Sequence, residues 1–158
     1  MLFHLTPELN QKVESVLEHT VQRSEASSVY LSDKGGNIVS QFSRVGALQQ
    51  EDNISALAAG SFFATQQLAR LLGEDGFHCV FHQGDECSIY MQCLASEMVM
   101  LVVFGKDSNP GLVRLHASKA CASLDTVLAE AEGAAPSPGA IGLQFELNDS
   151  ARPFSPST

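Results

Sequence analysis

Residues 52–73 read DNISALAAGSFFATQQLARLLG, and this stretch decides the fold. The run is long enough for five helical turns, and Gly73 supplies a residue suited to closing a helix C-terminus. A helix lying on one sheet face should be apolar along one stripe. This one has two. Leu57, Ala64, Leu68 and Leu71 form the first, and Ile54, Ala58, Phe62, Thr65 and Ala69 form the second. Ala59, Gly60 and Phe63 widen the apolar surface, so polar residues survive only at the ends and at Gln66, Gln67 and Arg70. The helix should be buried on most of its circumference, with sheet beneath it and a second copy of the chain above. Small residues at 58–60 would let two such helices approach closely. The expected dimer contacts are Ile54, Ala58, Ala59, Phe62 and Thr65. A helix wrapped by the chain's own terminal segments is the alternative.

The flanking elements follow from local rules. Thr6-Pro7-Glu8 opens a first helix, with Thr as N-cap, Pro in the first turn and a carboxylate at the positive end of the dipole. Leu9, Val13, Val16, Leu17 and Val21 then keep helical spacing. Residues 29–31 form a short strand, Lys34-Gly35-Gly36-Asn37 turns, and 38–42 return as its hairpin partner. After the central helix come strands over 77–82, 88–94 and 98–104, joined by turns at Gly84-Asp85 and 95–97. Asn109-Pro110-Gly111 breaks the chain before a last helix carrying Val113, Ala117, Ala120, Cys121, Leu124, Leu128 and Ala131 on one face. Five strands linked largely by hairpins, with three helices to cover them, predict an α+β sandwich of order α-β-β-α-β-β-β-α around a five-stranded, mostly antiparallel sheet.

Composition narrows the function. The 158 residues are 44% hydrophobic, enough for one domain with a real core. Acidic residues outnumber Lys and Arg 18 to 9, a formal net charge of −9. That field repels phosphate backbones and anionic lipid, so neither nucleic acid nor a membrane surface is an expected partner. The four cysteines form no C-x-x-C pair and read as reduced, cytosolic thiols. The N-terminus lacks a secretory leader, and the longest strongly apolar run, 98–104, is too short to span a bilayer. Residues 1–132 read as the folded domain. Residues 133–158 hold four of the six prolines and only three charges, and read as a mostly disordered tail. Within it Ile141, Leu143, Phe145 and Leu147 alternate at the strand period, either by chance or as a short motif for a sheet edge or groove.

No phosphate-binding P-loop, nucleophile elbow or dinucleotide glycine motif occurs in the sequence. His78, Cys79, His82 and Cys87 are all candidate zinc ligands. On a strand, however, His78 and His82 stand about 13 Å apart and Cys79 points the other way, which argues against a shared ion. Asp85-Glu86 reads as a solvated hairpin tip, and Asp107, Asn109 and Pro110 as a loop with helix-breaking chemistry. Nothing supports an enzyme, a metal site or a cofactor.

Several segments nevertheless carry a family likeness. They are Leu57-Ala58-Ala59-Gly60, the run from Ala64 through Glu74, Phe81-His82-Gln83-Gly84 with Ser88-Ile89-Tyr90-Met91, residues 99–104, and Gly111-Leu112-Val113-Arg114-Leu115. With the Asp33–Asn37 turn, they make residues 9–132 resemble the roadblock (dynein light chain) family, in its bacterial MglB-like branch. The resemblance implies a homodimer in which second helices pair and a strand from each copy extends one sheet. It also implies a helix-pair platform for the GTP-bound form of a Ras-like small GTPase of the MglA type. Through that platform such proteins stimulate the GTPase's own hydrolysis and help set bacterial cell polarity and gliding motility, from the cytoplasm or a cell pole. On this chain the platform should hold Phe63, Gln66, Gln67 and Arg70, the residues least compatible with a sheet-facing core. Phe63 and Gln67 replace small residues of close relatives. A roadblock scaffold that binds other polarity proteins without activating a GTPase, and a small-ligand sensor, are the other readings.

Overall fold

Thr6 starts the chain's first element as its composition dictates. Its Oγ1 accepts a hydrogen bond from the Leu9 N–H at 3.2 Å, capping α1 (Pro7–Ser24). In this computed structural model, which describes residues 5–134, seven further elements follow. They are β1 (Ser28–Ser32), β2 (Ile38–Ser43), α2 (Glu51–Leu71), β3 (Cys79–Gln83), β4 (Cys87–Cys93), β5 (Val99–Gly105) and α3 (Pro110–Ala134). The expected element order therefore stands, with ends displaced by one or two residues. The compact unit containing the sheet ends at Leu128, and α3 continues to Ala134. The tail expected over 133–158 lies outside the described residues apart from its first two positions, and so does the alternating segment within it.

The five strands form one sheet in the order β2-β1-β5-β4-β3, with every neighbouring pair antiparallel. β1 and β5 are central and buried on both faces, which is why 98–104 reads as a continuous apolar run rather than an alternating one. Pleating then divides their side chains between two cores. Val29, Leu31, Met100, Val102 and Phe104 pack with Val13, Leu17 and Val21 of α1 and Val113, Ala117, Leu124 and Leu128 of α3. Tyr30, Met91, Val99, Leu101 and Val103 pack with Ala58 and Phe62 of α2. The layers are thus α1 with α3, then the sheet, then α2 alone.

Two glycines fix the position of α2. Gly73 (φ +87°) ends it in a Schellman motif, in which Glu74 N–H donates to Ala69 O at 2.9 Å and Gly73 N–H to Arg70 O at 3.1 Å. Gly36 (φ +84°) sits in the β1–β2 turn, where a Cβ would lie 2.4 Å from Ala56 Cα. The turn and the helix can touch only because that side chain is absent.

Candidate functional surface on the second helix

The inner side of α2 is filled by the chain itself. Ala58 is 8% exposed and Ala59 and Phe62 are 1% exposed, with Ala58 and Phe62 against the Tyr30, Met91 and Leu101 side of the sheet. These three residues were expected to meet a second copy. The sheet of the same chain covers Ala58 and Phe62, and Ala59 is likewise buried within one chain, so the three offer a partner little surface. Ile54 and Thr65, expected beside them, are half-buried at the flank. The rest of the circumference, where a second copy is expected to lie, is open in the single chain. Leu57 is 75% exposed, Leu68 52%, Leu71 85% and Leu72 67%.

At about 100° per residue, Leu57, Ser61, Leu68 and Leu72 fall within roughly 60° of arc, a continuous ridge along the helix. Polar coverage is thin there, and Leu57, Leu68 and Leu72, with Leu71 at the ridge's edge, are with Val45 the most exposed large apolar side chains among the described residues. The signal was present in the sequence as the spacing of Leu57, Ala64, Leu68 and Leu71. The pattern could not say which of two apolar stripes faced inward.

The four residues expected to form a partner platform do come together. Phe63, Gln66, Gln67 and Arg70, with Phe62, make one wall of a 360 Å³ cleft, and Phe77, His78, Gln92, Cys93 and Glu97 line the rest. Their roles differ. Phe63 is half-buried and meets the Phe62 ring edge-on, centroids 5.8 Å apart at 86°. Gln67 and Arg70 are exposed. Gln66 is committed to the chain itself: its Nε2 donates to Phe77 O at 2.7 Å, and its Oε1 accepts from Phe77 N–H at 2.8 Å. This pair of hydrogen bonds occupies both backbone groups of Phe77, and β3 begins at Cys79 and not at Phe77 as the apolar pattern suggests. Sequence reading gave Gln66 to a partner because a polar residue in an apolar helix looks free. Its backbone target lies 11 positions away across a loop.

Charge in the cleft is mixed. Arg70 supplies a cation, while Glu97 pairs with Lys34. Burial, followed by the carboxylates of Glu97 and Asp125, pushes the Cys93 thiol above its ordinary pKa, which keeps it protonated and a poor nucleophile. Among the described residues no three or more His, Cys, Asp or Glu converge on a point where a metal could sit. His82 and Cys87 are exposed, whereas Cys79 turns toward the α1–α3 core.

Beside the cleft, β3 forms one edge of the sheet, and among the described residues no strand covers its outer side. Phe81 anchors it by stacking on Phe104, centroids 5.9 Å apart at 27°. An uncovered edge offers unpaired N–H and C=O groups to a further strand. None of the described helices is long and apolar enough to cross a membrane.

Comparison with known proteins agrees with this architecture. The Roadblock/LC7 domain model matches residues 12–104. The MglB structure from Myxococcus xanthus is 30% identical, with a TM-score of 0.74 over 82% of this chain and 96% of that one. The gliding protein MglB from Thermus thermophilus is 29% identical, with a TM-score of 0.74 over 80% of this chain and 95% of that one. An MglB described as having a tetrameric arrangement reaches a TM-score of 0.76 at 28% identity, over 80% and 95% of the two chains. No curated protein sequence matches.

Proposed function

Because this chain belongs to the Roadblock/LC7 domain family and is similar to bacterial MglB along most of its described length, we propose that it is a homodimeric regulator of a Ras-like small GTPase of the MglA type, acting in bacterial cell polarity and motility. The observation that carries this reading is the outer side of α2, where an uncovered leucine ridge runs beside a cleft with an aromatic and a cation. The ridge of Leu57, Ser61, Leu68 and Leu72, flanked by Ile54 and Thr65, packs against its counterpart in a second copy. The free edge of β3 joins the two sheets. The pair of helices then presents Phe63, Gln67 and Arg70 twice, as a platform for the GTP-bound switch regions. Gln66 supports that platform from behind by holding Phe77 rather than by touching the partner.

Arg70 lies within the last turns of a packed helix, which limits its reach toward a γ-phosphate. It pairs with switch carboxylates, and acceleration comes from ordering the GTPase's own groups, a positioning effect. Each tenfold gain in rate needs only about 1.4 kcal/mol of transition-state stabilisation. The test is GTP hydrolysis by an MglA-type GTPase from the same genome, with and without this protein. Acceleration of tenfold or more is expected. Arg70→Ala should weaken binding yet leave the rate at saturation within about threefold. A thousandfold loss at saturation would make Arg70 a catalytic finger and overturn the mechanism. Binding without acceleration would identify a scaffold.

A further inference from the structure

The opposite face of the molecule carries a second surface of different chemistry. α1 and α3 lie on the sheet face away from α2, and an open groove of 830 Å³ runs between them. Ser15, His19 and Arg23 line it from α1, and His116, Lys119 and Ser123 from α3. α3 starts where α1 ends: Ser108 Oγ donates to Glu25 O at 2.7 Å, so the helices run antiparallel. Residues 15–23 therefore lie along 123–116, and the groove follows about two helical turns, roughly 12 Å.

The charge of this groove is out of keeping with the chain. With histidines counted as neutral the protein has a net charge of −9 and only nine Lys and Arg, yet this strip gathers an Arg and a Lys beside two His and is lined by no carboxylate. Among the described residues the ion pairs are Lys34–Glu97 and Lys106–Glu86, so neither Arg23 nor Lys119 has a carboxylate partner there. On α1, Glu14 accepts from Asn10 and Glu18 from Gln22, and Glu25 follows Arg23 at the C-cap; among the described residues none of the three forms an ion pair with Arg23 or Lys119. His116 is held below its ordinary pKa by burial and then by Lys119, His19 and Arg23, as expected where these groups face one another. The lining includes no acceptor-only group. Arg gives a bidentate fork for carboxylate, Lys a point charge, and the serines neutral hydroxyls. They are spread along two helices rather than converging on a point, which suits an extended chain better than a small ion.

We propose that the α1–α3 groove is a docking site for a carboxylate-rich segment of a different protein. The rest of this acidic surface repels such a segment, so its binding is confined to the groove. The sheet separates this groove from α2, so both faces can be occupied together and the protein can link an acidic partner to whatever α2 holds. The proposal does not depend on the partner of α2.

The test uses the full chain and a fluorescein-labelled decaglutamate peptide, followed by fluorescence anisotropy. Saturable binding that weakens with salt is expected, although both molecules are anionic. Arg23→Glu with Lys119→Glu should weaken it tenfold or more. Lys34→Glu with Lys106→Glu, which changes net charge equally elsewhere, should leave affinity within about twofold. If the first variant does not fold, Arg23→Gln with Lys119→Gln should still lose about fivefold, since two of the cations are gone. Three results would each overturn the proposal: no saturable binding by the wild-type protein, equal losses in the two charge-reversal variants, or displacement of the peptide by inorganic phosphate at constant ionic strength. The last would mark a small-anion site instead.

Discussion

Replacing Leu57 and Leu68 together by Glu should convert the protein to a monomer while leaving its fold intact. In one chain these side chains are 75% and 52% exposed. A fully buried leucine contributes about 1.5–3 kcal/mol, and the two positions together still expose a little more than one leucine's worth. Over both copies of a symmetric pair, losing that burial removes about 4–8 kcal/mol of association free energy. At about 1.4 kcal/mol per tenfold, dimerisation weakens by about a thousandfold or more, before counting repulsion among the four introduced carboxylates. Sedimentation equilibrium over about 1–100 µM reads this directly, because dimer populations follow concentration. The wild-type protein should sediment as twice 16.9 kDa and the variant as once. The thermal melt of the variant monomer should show intact folding, since exposed substitutions cost about 0.5 kcal/mol or less. The contrasting change is Phe62→Ala, which opens the core under α2 and should cost about 3–5 kcal/mol of folding stability. A wild-type monomer at the highest concentration, or a Leu57→Glu/Leu68→Glu variant that dimerises unchanged, would refute the assignment of the leucine ridge.

Three further outcomes follow from single contacts. Gln66→Ala removes both hydrogen bonds to the Phe77 backbone and should cost about 1–3 kcal/mol in urea unfolding; an unchanged midpoint would mean water replaces the clamp without loss. Gly36→Ala combines positive φ with a Cβ 2.4 Å from Ala56 Cα, so a destabilisation of more than about 1 kcal/mol is expected, and a neutral result would show that α2 is not held against this turn. Cys121 is buried, and burial, then the nearby Asp125 and Cys93, push its thiol up to about 12. In a thiol-reagent time course Cys87, the exposed cysteine, should react first and Cys121 only on unfolding, because its side chain is buried and only a minute fraction of its thiol is ionised between pH 7 and 9. Prompt labelling of Cys121 in the native protein would contradict its burial.

Much of this protein is decided by interactions short enough to read in the chain. Thr6, Pro7 and Glu8 set the start of α1, Gly73 stops α2, and Lys34–Asn37 turns the first hairpin, because caps and turns need only residues three to five positions apart. The continuous apolar run at 98–104 marks a strand buried on both faces, and the likeness of residues 9–132 to roadblock proteins reaches the same architecture independently. The tertiary structure alone decided the facing of α2. A helix apolar nearly all round has no phase in its pattern, and the sheet took Ala58 and Phe62, which fit between Tyr30, Met91 and Leu101, leaving the leucines outside. Gln66 shows the same limit, since its role depends on where a loop brings Phe77. So does the cationic groove: Arg23 and Lys119 are 96 positions apart, and only the packing of α1 beside α3 makes them neighbours. Local rules carry the elements, but the surfaces that meet other molecules are assembled from residues distant in sequence, through packing free energies that no short window contains.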